Sequence, residues 1–259
     1  MLDQFSRTRM LLGEAGIQSL QNSFVAVFGI GGVGGYAAEA LVRSGVGKIA
    51  LFDDDKICIT NLNRQIIATH QTVGEVKVEA MEKRLKEINP NVLVETHRVF
   101  YGPDVSTDFD LGAYDYIIDA VDTVTAKLEL IVRAGEAKVP VISAMGTANK
   151  LDPTAFCVTD IFNTQGDPLA RVMRRELRRK GIDSLKVVCS TEEASAPIAE
   201  FSGGCKNNCV CPPDVERTCA KRRQIPASNA FVPGVAGLIL AGTVVKDLIG
   251  HEGSAAGIQ

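Results

Sequence analysis

Residues 25–34, Val-Ala-Val-Phe-Gly-Ile-Gly-Gly-Val-Gly, constrain the fold of this chain more than any other stretch. The apolar run at the start is typical of a buried strand, and the residues from Tyr36 to Val42 predict a helix. The glycines between them follow the G-x-G-x-x-G order; they are Gly29, Gly31, Gly32 and Gly34. Glycines let backbone N–H groups approach a phosphate, and the helix N-terminus adds a partial positive charge. By itself the pattern indicates a nucleotide-binding site, most often one for a dinucleotide.

Strand and helix patterns alternate along the rest of the chain. Strands are predicted at Lys48–Phe52, Val92–Val99, Tyr114–Ala120, Val139–Ser143, Ala155–Asp160 and Lys186–Ser190, and helices at 3–20, Val76–Glu87, Lys127–Ala137 and 169–180. This order predicts an α/β fold: a Rossmann-like, mostly parallel sheet with helices on both faces. Ligands of such sheets bind at the carboxyl ends of strands, where the chain places Asp53, Asp119, Asp122 and Gly146.

Length and composition fit a single α/β domain over residues 1–259, with a Cys-rich irregular loop at about 202–229. A net charge of −3 argues against strong generic affinity for nucleic acids, but it leaves room for a local basic patch. The longest apolar stretch, Phe231 to Val245, contains Pro233 and three glycines and is short for a bilayer. We therefore expect a buried helix there, and no membrane insertion.

Two further features favour a cytoplasmic location. The N-terminal residues have no apolar core typical of a signal peptide. Four of the seven cysteines are crowded into 205–219, unlike the disulfide framework of a small secreted protein.

Asp53 closes the second predicted strand, about 20 residues past the glycines, where a carboxylate can accept hydrogen bonds from ribose hydroxyls. The plainer alternative is that Asp53, Asp54 and Asp55 are solvated residues of a turn.

Five separated elements together resemble one superfamily. They are Gly29–Gly34, Asp53, Asn61-Leu-Asn-Arg64-Gln65, Lys77 and Asp119-Ala-Val-Asp122. Their order and spacing resemble the adenylating domain of ubiquitin-activating enzymes and of the bacterial HesA/MoeB/ThiF proteins, which activate the C-termini of sulfur carriers. The resemblance extends over nearly the whole chain through Asp152-Pro-Thr, Val158-Thr-Asp-Ile161, Thr164, Asp167-Pro-Leu-Ala170, Ser190-Thr-Glu192 and 231–238. With them, the chain resembles the tRNA threonylcarbamoyladenosine dehydratases.

The resemblance implies a ubiquitin-activating-enzyme-like adenylation fold, a tRNA substrate, and ATP with Mg²⁺ as cofactors. That family uses ATP to cyclise the threonylcarbamoyl side chain of a modified adenosine beside the anticodon. Attack of the carboxylate on the α-phosphate gives an acyl-adenylate. An atom of the same side chain then closes a five-membered ring and releases AMP, so no cysteine nucleophile is required.

The resemblance also implies a role for each matching residue. Nucleotide binding falls to Gly29, Gly31, Gly32, Gly34, Asp53, Asn61, Arg64, Gln65 and Lys77, and the catalytic set is Arg64, Lys77, Asp122 and Arg7. Asp122 is expected to hold Mg²⁺, and Arg7 to reach the partner's site in a homodimer. In the plainer alternatives Arg7, Arg64 and Lys77 are surface residues, and Asp119 and Asp122 cap a helix.

The chain departs from its relatives at Thr123, where many of them carry Asn, and in the cysteine-rich insertion. A competing function is adenylation of the C-terminus of a small ubiquitin-like sulfur-carrier protein. Such enzymes often bind zinc through two Cys-x-x-Cys pairs, and this sequence contains no Cys-x-x-Cys. A non-catalytic nucleotide-binding scaffold and a dehydrogenase fit the motifs less well. A sulfur-relay or carrier protein is a further potential partner.

The four clustered cysteines, Cys205, Cys209, Cys211 and Cys219, have the spacing C-x₃-C-x-C-x₇-C. Four thiolates can hold Zn²⁺ or an iron–sulfur cluster. The alternative is a loop with free or redox-active thiols. The remaining cysteines, Cys58, Cys157 and Cys189, are expected to be small buried residues.

Five arginines recur at helical spacing between residues 171 and 179: Arg171, Arg174, Arg175, Arg178 and Arg179. We predict a phosphate-binding ridge for tRNA, helped by residues 221–223; the alternative is a solvated face or one paired with carboxylates.

Overall fold

The computed structural model describes residues 2–196 and 226–250. Its sheet contains β1 (Phe24–Phe28), β2 (Lys48–Phe52), β3 (Leu93–His97), β4 (Tyr116–Asp119), β5 (Val141–Ala144), β6 (Phe156–Asp160) and β7 (Lys186–Ser190). The strands lie in the order β3-β2-β1-β4-β5-β7-β6, and only the pairing of β6 with β7 is antiparallel among the described residues. The predicted Rossmann-like, mostly parallel sheet is therefore confirmed.

Helices cover both faces of the sheet. They are α1 (Ser6–Asn22), α2 (Gly34–Ser44), α3 (Lys77–Ile88), α4 (Val124–Ala137), α5 (Pro168–Arg179) and α6 (Val232–Leu248). Alternate residues of a strand point to opposite faces. Thus Val25 and Val27 pack with α1, α2, α3 and α6, whereas Ala26 and Phe28 pack on the side of α4. A third apolar cluster joins α4 and α5 to β7.

The predicted boundaries differ from the structure mainly at glycines and at strand starts. α2 begins at Gly34, two residues before the predicted start, so glycine backbone forms its first turn. β4 begins at Tyr116, two residues after the predicted start, and the carboxylate of Asp115 before it accepts the backbone N–H of Phe24. α4 begins at Val124, three residues before the predicted start.

The apolar stretch near the C-terminus is the buried helix α6, as predicted. Gly237 lies so close to α2 that a Cβ there would overlap the carbonyl oxygen of Val33, and a Cβ at Gly234 would lie 3.3 Å from the ring of Tyr36. Within 2–196 and 226–250, no helix combines the length and apolar character that a membrane crossing requires.

The strand order places the site. The chain moves from β1 outward to β2 and β3, then returns to β4 on the other side of β1. At such a switch point the connections leave in opposite directions, which opens a crevice at the carboxyl ends of the strands. Gly29 follows β1 at this crevice, and Ala120 and Val121 follow β4.

Candidate active site

A cavity of about 500 Å³ opens at the carboxyl ends of the strands. Its nucleotide half is formed by residues from 28–33, 52–55, 61–65, 77, 99–101 and 120–122, and its distal half by residues from 144–150, 167–169, 194, 226–228 and 233. A larger groove, about 700 Å³, lies at the amino ends of β4, β5 and β7, and none of the sequence-predicted site residues lines it. We therefore assign the chemistry to the first cavity.

The glycines of the turn differ in whether the protein itself leaves space for a side chain. Gly29 has a φ of 87°, and a Cβ at Gly34 would overlap the carbonyl oxygen of Gly29, so the turn itself requires both. At Gly31 the nearest atom to a Cβ is the Gln65 side-chain nitrogen, 3.9 Å away. The protein alone would accommodate a side chain at Gly31, so the open space there suits a ligand that approaches the backbone.

Asp53 holds this turn in place. Its two carboxylate oxygens accept hydrogen bonds from the backbone N–H of Ile30 at 2.7 Å and of Asp55 at 2.9 Å. Burial raises the pKa of Asp53, and the neighbouring Lys77 ammonium opposes that shift. Asp53 is thus a buried anchor, and Asp53–Asp55 are not three solvated residues of a turn.

Lys77 is buried at the first position of α3 and is not a solvated helix lysine. Its Nζ lies 2.7 Å from an Asp55 oxygen and 3.6 Å from an Asp53 oxygen. Burial acts to lower the pKa of Lys77, but the two carboxylates outweigh it and raise that pKa. The pairing also explains the cluster of Asp53, Asp54 and Asp55, because two of these carboxylates bind Lys77.

The segment 61–65 forms one wall of the nucleotide half. The Asn61 oxygen accepts the backbone N–H of Cys58 at 3.0 Å, which leaves its NH₂ group to meet a ligand. Arg64 lies across Gly32 and is half-buried, with Nη1 bound to the Thr60 carbonyl at 3.1 Å. The Gln65 oxygen Oε1 is buried and has no hydrogen-bond partner among the described residues.

Asp119 and Asp122 have different positions. Asp122 is exposed at the edge of the nucleotide half. Asp119 is fully buried beneath the cavity, 3.0 Å from Lys127 Nζ, and its other oxygen accepts the Val121 N–H at 3.3 Å. It therefore supports the loop that carries Asp122 and caps no helix. No sequence motif indicated the role of Lys127.

The distal half contains a further buried ion pair that no sequence motif indicated. Lys150 Nζ lies 3.1 Å from Asp167 Oδ2, and the other Asp167 oxygen caps α5 by accepting the N–H of Ala170 at 2.8 Å. Gly146 is required here, since a Cβ would lie 2.5 Å from the Asp167 carboxylate. Asn149 exchanges hydrogen bonds of 2.8 Å with Ala227, which joins this loop to the start of the 226–250 segment.

Aromatic rings pack together at the base of the nucleotide half, where Phe28, Phe52 and Tyr101 line the cavity. The rings of Phe28 and Phe52 are stacked with centroids 4.1 Å apart, and the His97 ring stacks on the other side of Phe52 at 4.3 Å. Tyr101 packs edge-on against Phe28 at 4.9 Å. None of these rings was predicted as part of the site, because Phe28 and Phe52 in their strands indicate a core whether or not a ligand covers them.

Arg7 is not brought to this cavity within the described chain. It is exposed on α1, beside Met10 and Leu11, whose exposed fractions are 88% and 84%.

The arginine ridge differs from the prediction at Arg174. This side chain is half-buried, and its Nη1 donates to the carbonyl and the hydroxyl of Thr164. Arg175 and Arg179 both pair with Glu176. Arg178 lies over the Phe162 ring, with its guanidinium carbon 5.0 Å from the centroid. Arg174 is therefore a structural residue, whereas Arg171 and Arg178 remain exposed.

Three of the seven cysteines lie in the described part of the chain. Cys58 and Cys189 are buried as expected, but Cys157 is exposed, because β6 is the edge strand of the sheet. Cys205, Cys209, Cys211 and Cys219, and also residues 221–223, lie outside the described residues.

Comparison with known proteins agrees with the fold and the cavity, which are those of a nucleotide-binding α/β protein. The ThiF family matches residues 5–257, and the chain belongs to this family. A tRNA threonylcarbamoyladenosine dehydratase from Bacillus subtilis (strain 168) is 45% identical over 249 residues, which cover 96% of both proteins.

Solved structures agree as well. The Escherichia coli tRNA N6-threonylcarbamoyladenosine dehydratase in complex with AMP matches with a TM-score of 0.82 at 33% identity, over 95% of this chain and 94% of that one. Its complex with ATP matches with a TM-score of 0.80 at 32% identity, over the same fractions. The expected adenylation fold is therefore confirmed.

The contrast between Gly31 and Gly34 is testable. In Gly31→Ala we expect an unchanged melting temperature, because the protein has space for the methyl group. A ligand against that backbone would meet a steric penalty of about 1–3 kcal/mol, which weakens ATP binding about 10- to 100-fold in calorimetry.

Gly34→Ala is the matched variant and should lower the melting temperature itself, since its methyl group meets the Gly29 carbonyl oxygen. Unchanged ATP affinity in a folded Gly31→Ala protein would contradict the placement of the nucleotide.

Proposed function

We propose that this protein uses ATP to dehydrate threonylcarbamoyladenosine in tRNA, closing the side chain into a ring through an acyl-adenylate. The observation that carries the proposal is the continuity of the cavity: a glycine turn suited to phosphates opens into a second, polar half. The names of the relatives supply the substrate class, and the complexes of the E. coli relative with ATP and AMP support ATP as the nucleotide.

The reaction proceeds in two balanced steps. A carboxylate oxygen of the substrate forms a bond to the α-phosphorus of ATP, the bond from that phosphorus to the bridging oxygen breaks, and pyrophosphate leaves. An atom of the same side chain then bonds to the acyl carbon, and AMP leaves with the original carboxylate oxygen. The nucleoside has lost the elements of one water, and the intramolecular attack needs only correct placement.

The site residues take the following roles in this proposal. Backbone N–H groups of the glycine turn and the side chains of Asn61 and Gln65 contact the nucleotide, and Asp53 accepts a ribose hydroxyl with its remaining lone pairs. Arg64 offers donors to phosphate oxygens. Lys77 keeps positive charge beside the reacting phosphates while it pairs with Asp53 and Asp55.

Mg²⁺ fits the donor set at the edge of the nucleotide half. Asp122 offers an exposed carboxylate there, and carboxylate and phosphate oxygens are the ligands that this ion prefers. When bound, the ion would offset phosphate charge. A chelator titration of the activity tests this requirement.

Incubation with ATP and tRNA that bears threonylcarbamoyladenosine, followed by mass analysis of nucleosides, tests the function. We expect one water to be lost from that nucleoside, with AMP and pyrophosphate formed. Arg64→Ala should slow the reaction about 100-fold or more, the usual effect of removing a group that stabilises reacting charge.

Arg43→Ala is the matched control, because Arg43 is a surface arginine of α2 paired with Glu39 at 2.8 Å. If the wild-type protein leaves the nucleoside intact but adenylates the C-terminus of a sulfur-carrier protein, the competing function replaces this one.

We also propose that the exposed face of α5 binds tRNA phosphates. The helix begins at Pro168, which lines the distal half, and Arg171 and Arg178 follow along it. Over 11 residues such a helix extends about 16 Å, so it can contact RNA that enters the cavity at one end. Phosphate contacts of this kind position the RNA without reading its sequence.

Replacement of Arg171, Arg178 and Arg179 by Gln should weaken tRNA binding and reduce its salt dependence. The expected decrease in log–log slope is about 0.7–0.9 for each phosphate that the variant no longer neutralises, while ATP affinity should not change. The charge-matched control is a triple variant in which Arg43, Lys83 and Lys86 are replaced by Gln. These residues lie on α2 and α3, on the opposite face of the sheet. Equal slopes for both triple variants would exclude α5 as the RNA surface.

A homodimer is part of the proposal. The exposed Met10 and Leu11 on α1 suit burial against a second copy, and the same helix carries Arg7. If Arg7 acts in the partner's site, mixing inactive Arg7→Ala and Arg64→Ala proteins should restore activity. Sedimentation as a monomer, with no restoration, would contradict this arrangement.

Three expectations complete the proposal: a cytoplasmic location, a sulfur-relay or carrier protein as a further partner, and a metal at the four clustered cysteines. Cell fractionation tests the first, and co-purification from cell extract tests the second. Elemental analysis of anaerobically purified protein tests the third: about one equivalent of zinc, or iron with sulfide, supports it, and metal-free active protein rejects it.

A further inference from the structure

Besides Lys77 with its carboxylates, two further lysine–aspartate pairs are buried in the described part of the chain, and these two differ in one respect. Lys127 pairs with Asp119 at 3.0 Å, and Lys150 pairs with Asp167 at 3.1 Å. All four side chains are at most 1% exposed. Both pairs lie near the carboxyl ends of the strands, but only Lys150 and Asp167 line the cavity.

The ammonium of Lys127 has a complete set of acceptors. Its Nζ donates to Asp119 at 3.0 Å, to the Ser143 hydroxyl at 3.1 Å and to the Ala144 carbonyl at 2.8 Å. An ammonium has three donors, so this lysine has nothing left to offer a ligand. Its role is to hold β4, β5 and α4 together.

Lys150 donates one hydrogen bond within the described part of the chain, to Asp167 Oδ2. Its two other N–H groups are buried without an acceptor among the described residues, which is unfavourable because nothing replaces the water they have lost. Lys150 lines the cavity with 1% of its side chain exposed, so an acceptor that reaches into the distal half would satisfy it.

The charge of the reacting groups indicates which acceptor that is. A substrate carboxylate must approach the α-phosphate of a polyanion, and like charges at close range repel strongly where water is excluded. In the nucleotide half, Lys77 is already bound to two carboxylates. Lys150 is the buried ammonium on the distal side of the same cavity.

We propose that the distal half is a subsite for the substrate carboxylate, with Lys150 as the binding group and Asp167 as its positioning residue. The ligand class is the free carboxylate of an amino-acid side chain linked to a nucleobase. This inference rests on the proposed function, because it assigns the carboxylate that reacts with ATP. The carboxylate accepts a hydrogen bond from Lys150 Nζ, and that contact fixes it beside the α-phosphate.

Asp167 is suited to the positioning role. One of its oxygens is fixed by the N–H of Ala170 and the other by Lys150, while Gly146 packs against the carboxylate. These contacts restrict where the ammonium can lie. A rigid donor adds more to transition-state stabilisation than a mobile one, since it needs no reorganisation during the reaction.

The test compares Lys150→Met with Lys127→Met. Lys150→Met should keep its ATP affinity, but kcat/KM for the modified tRNA should fall about 10- to 100-fold, the decrease expected when a charged hydrogen bond is removed. Lys127→Met should lower the melting temperature, and at temperatures where it is folded its KM for tRNA should stay near that of the wild type.

A double variant guards against misfolding. Lys150→Met with Asp167→Asn removes both buried charges and keeps an oxygen to cap α5, and exchanging a whole buried pair is often tolerated. The matched double variant is Lys127→Met with Asp119→Asn.

A binding readout separates a carboxylate contact from a structural role. Wild-type protein should prefer tRNA with threonylcarbamoyladenosine over tRNA whose side chain ends in a carboxamide. The Lys150 single and double variants should lose that preference, and the Lys127 variants should retain it.

The outcomes also separate this inference from the proposed function. Wild-type protein that does not cyclise the nucleoside overturns the function itself. If the wild-type protein cyclises the nucleoside but the Lys150 variants keep a normal kcat/KM and still prefer the carboxylate substrate, only the subsite is overturned.

Discussion

The carboxylate of Asp53 is the contact on which the nucleotide site depends. It joins the turn after β1, through Ile30, to the end of β2 and to Lys77 at the start of α3. The turn follows β1, whereas the other two parts belong to the long connection from β2 to α3. The sheet alone would leave these loops free to move. A single buried anion with two backbone donors and a nearby ammonium fixes all three relative to one another.

Buried charge recurs through the site for the same reason. Lys77, Lys127 and Lys150 each lie against carboxylates at the carboxyl ends of the strands. A buried ion pair is weak evidence for stability, because desolvation offsets most of the attraction. These pairs are better understood as contacts that position the site. Lys127 supports the loop of Asp122, whereas Lys77 and Lys150 both line the cavity.

The sequence was sufficient where the signal is local. The glycine turn, β2 and its terminal Asp53, and the apolar helix α6 all follow from spacing and periodicity over fewer than 20 residues. Lys127 and Lys150 were missed because their partners are set by the order of the strands and by the position of α5. Helical spacing placed the arginines on one face, but it could not show that Thr164, ten residues earlier, binds Arg174.

The fate of one oxygen atom tests the central claim, that the cavity brings a substrate carboxylate to the α-phosphate of ATP. The tRNA would carry threonylcarbamoyladenosine with an ¹⁸O-labelled carboxylate, and the released products would be analysed by mass. The adenylate route predicts label in AMP and in the ring carbonyl, with none in pyrophosphate. Label in inorganic phosphate, with ADP formed in place of AMP, would contradict it, because the attack would then have fallen on the terminal phosphate.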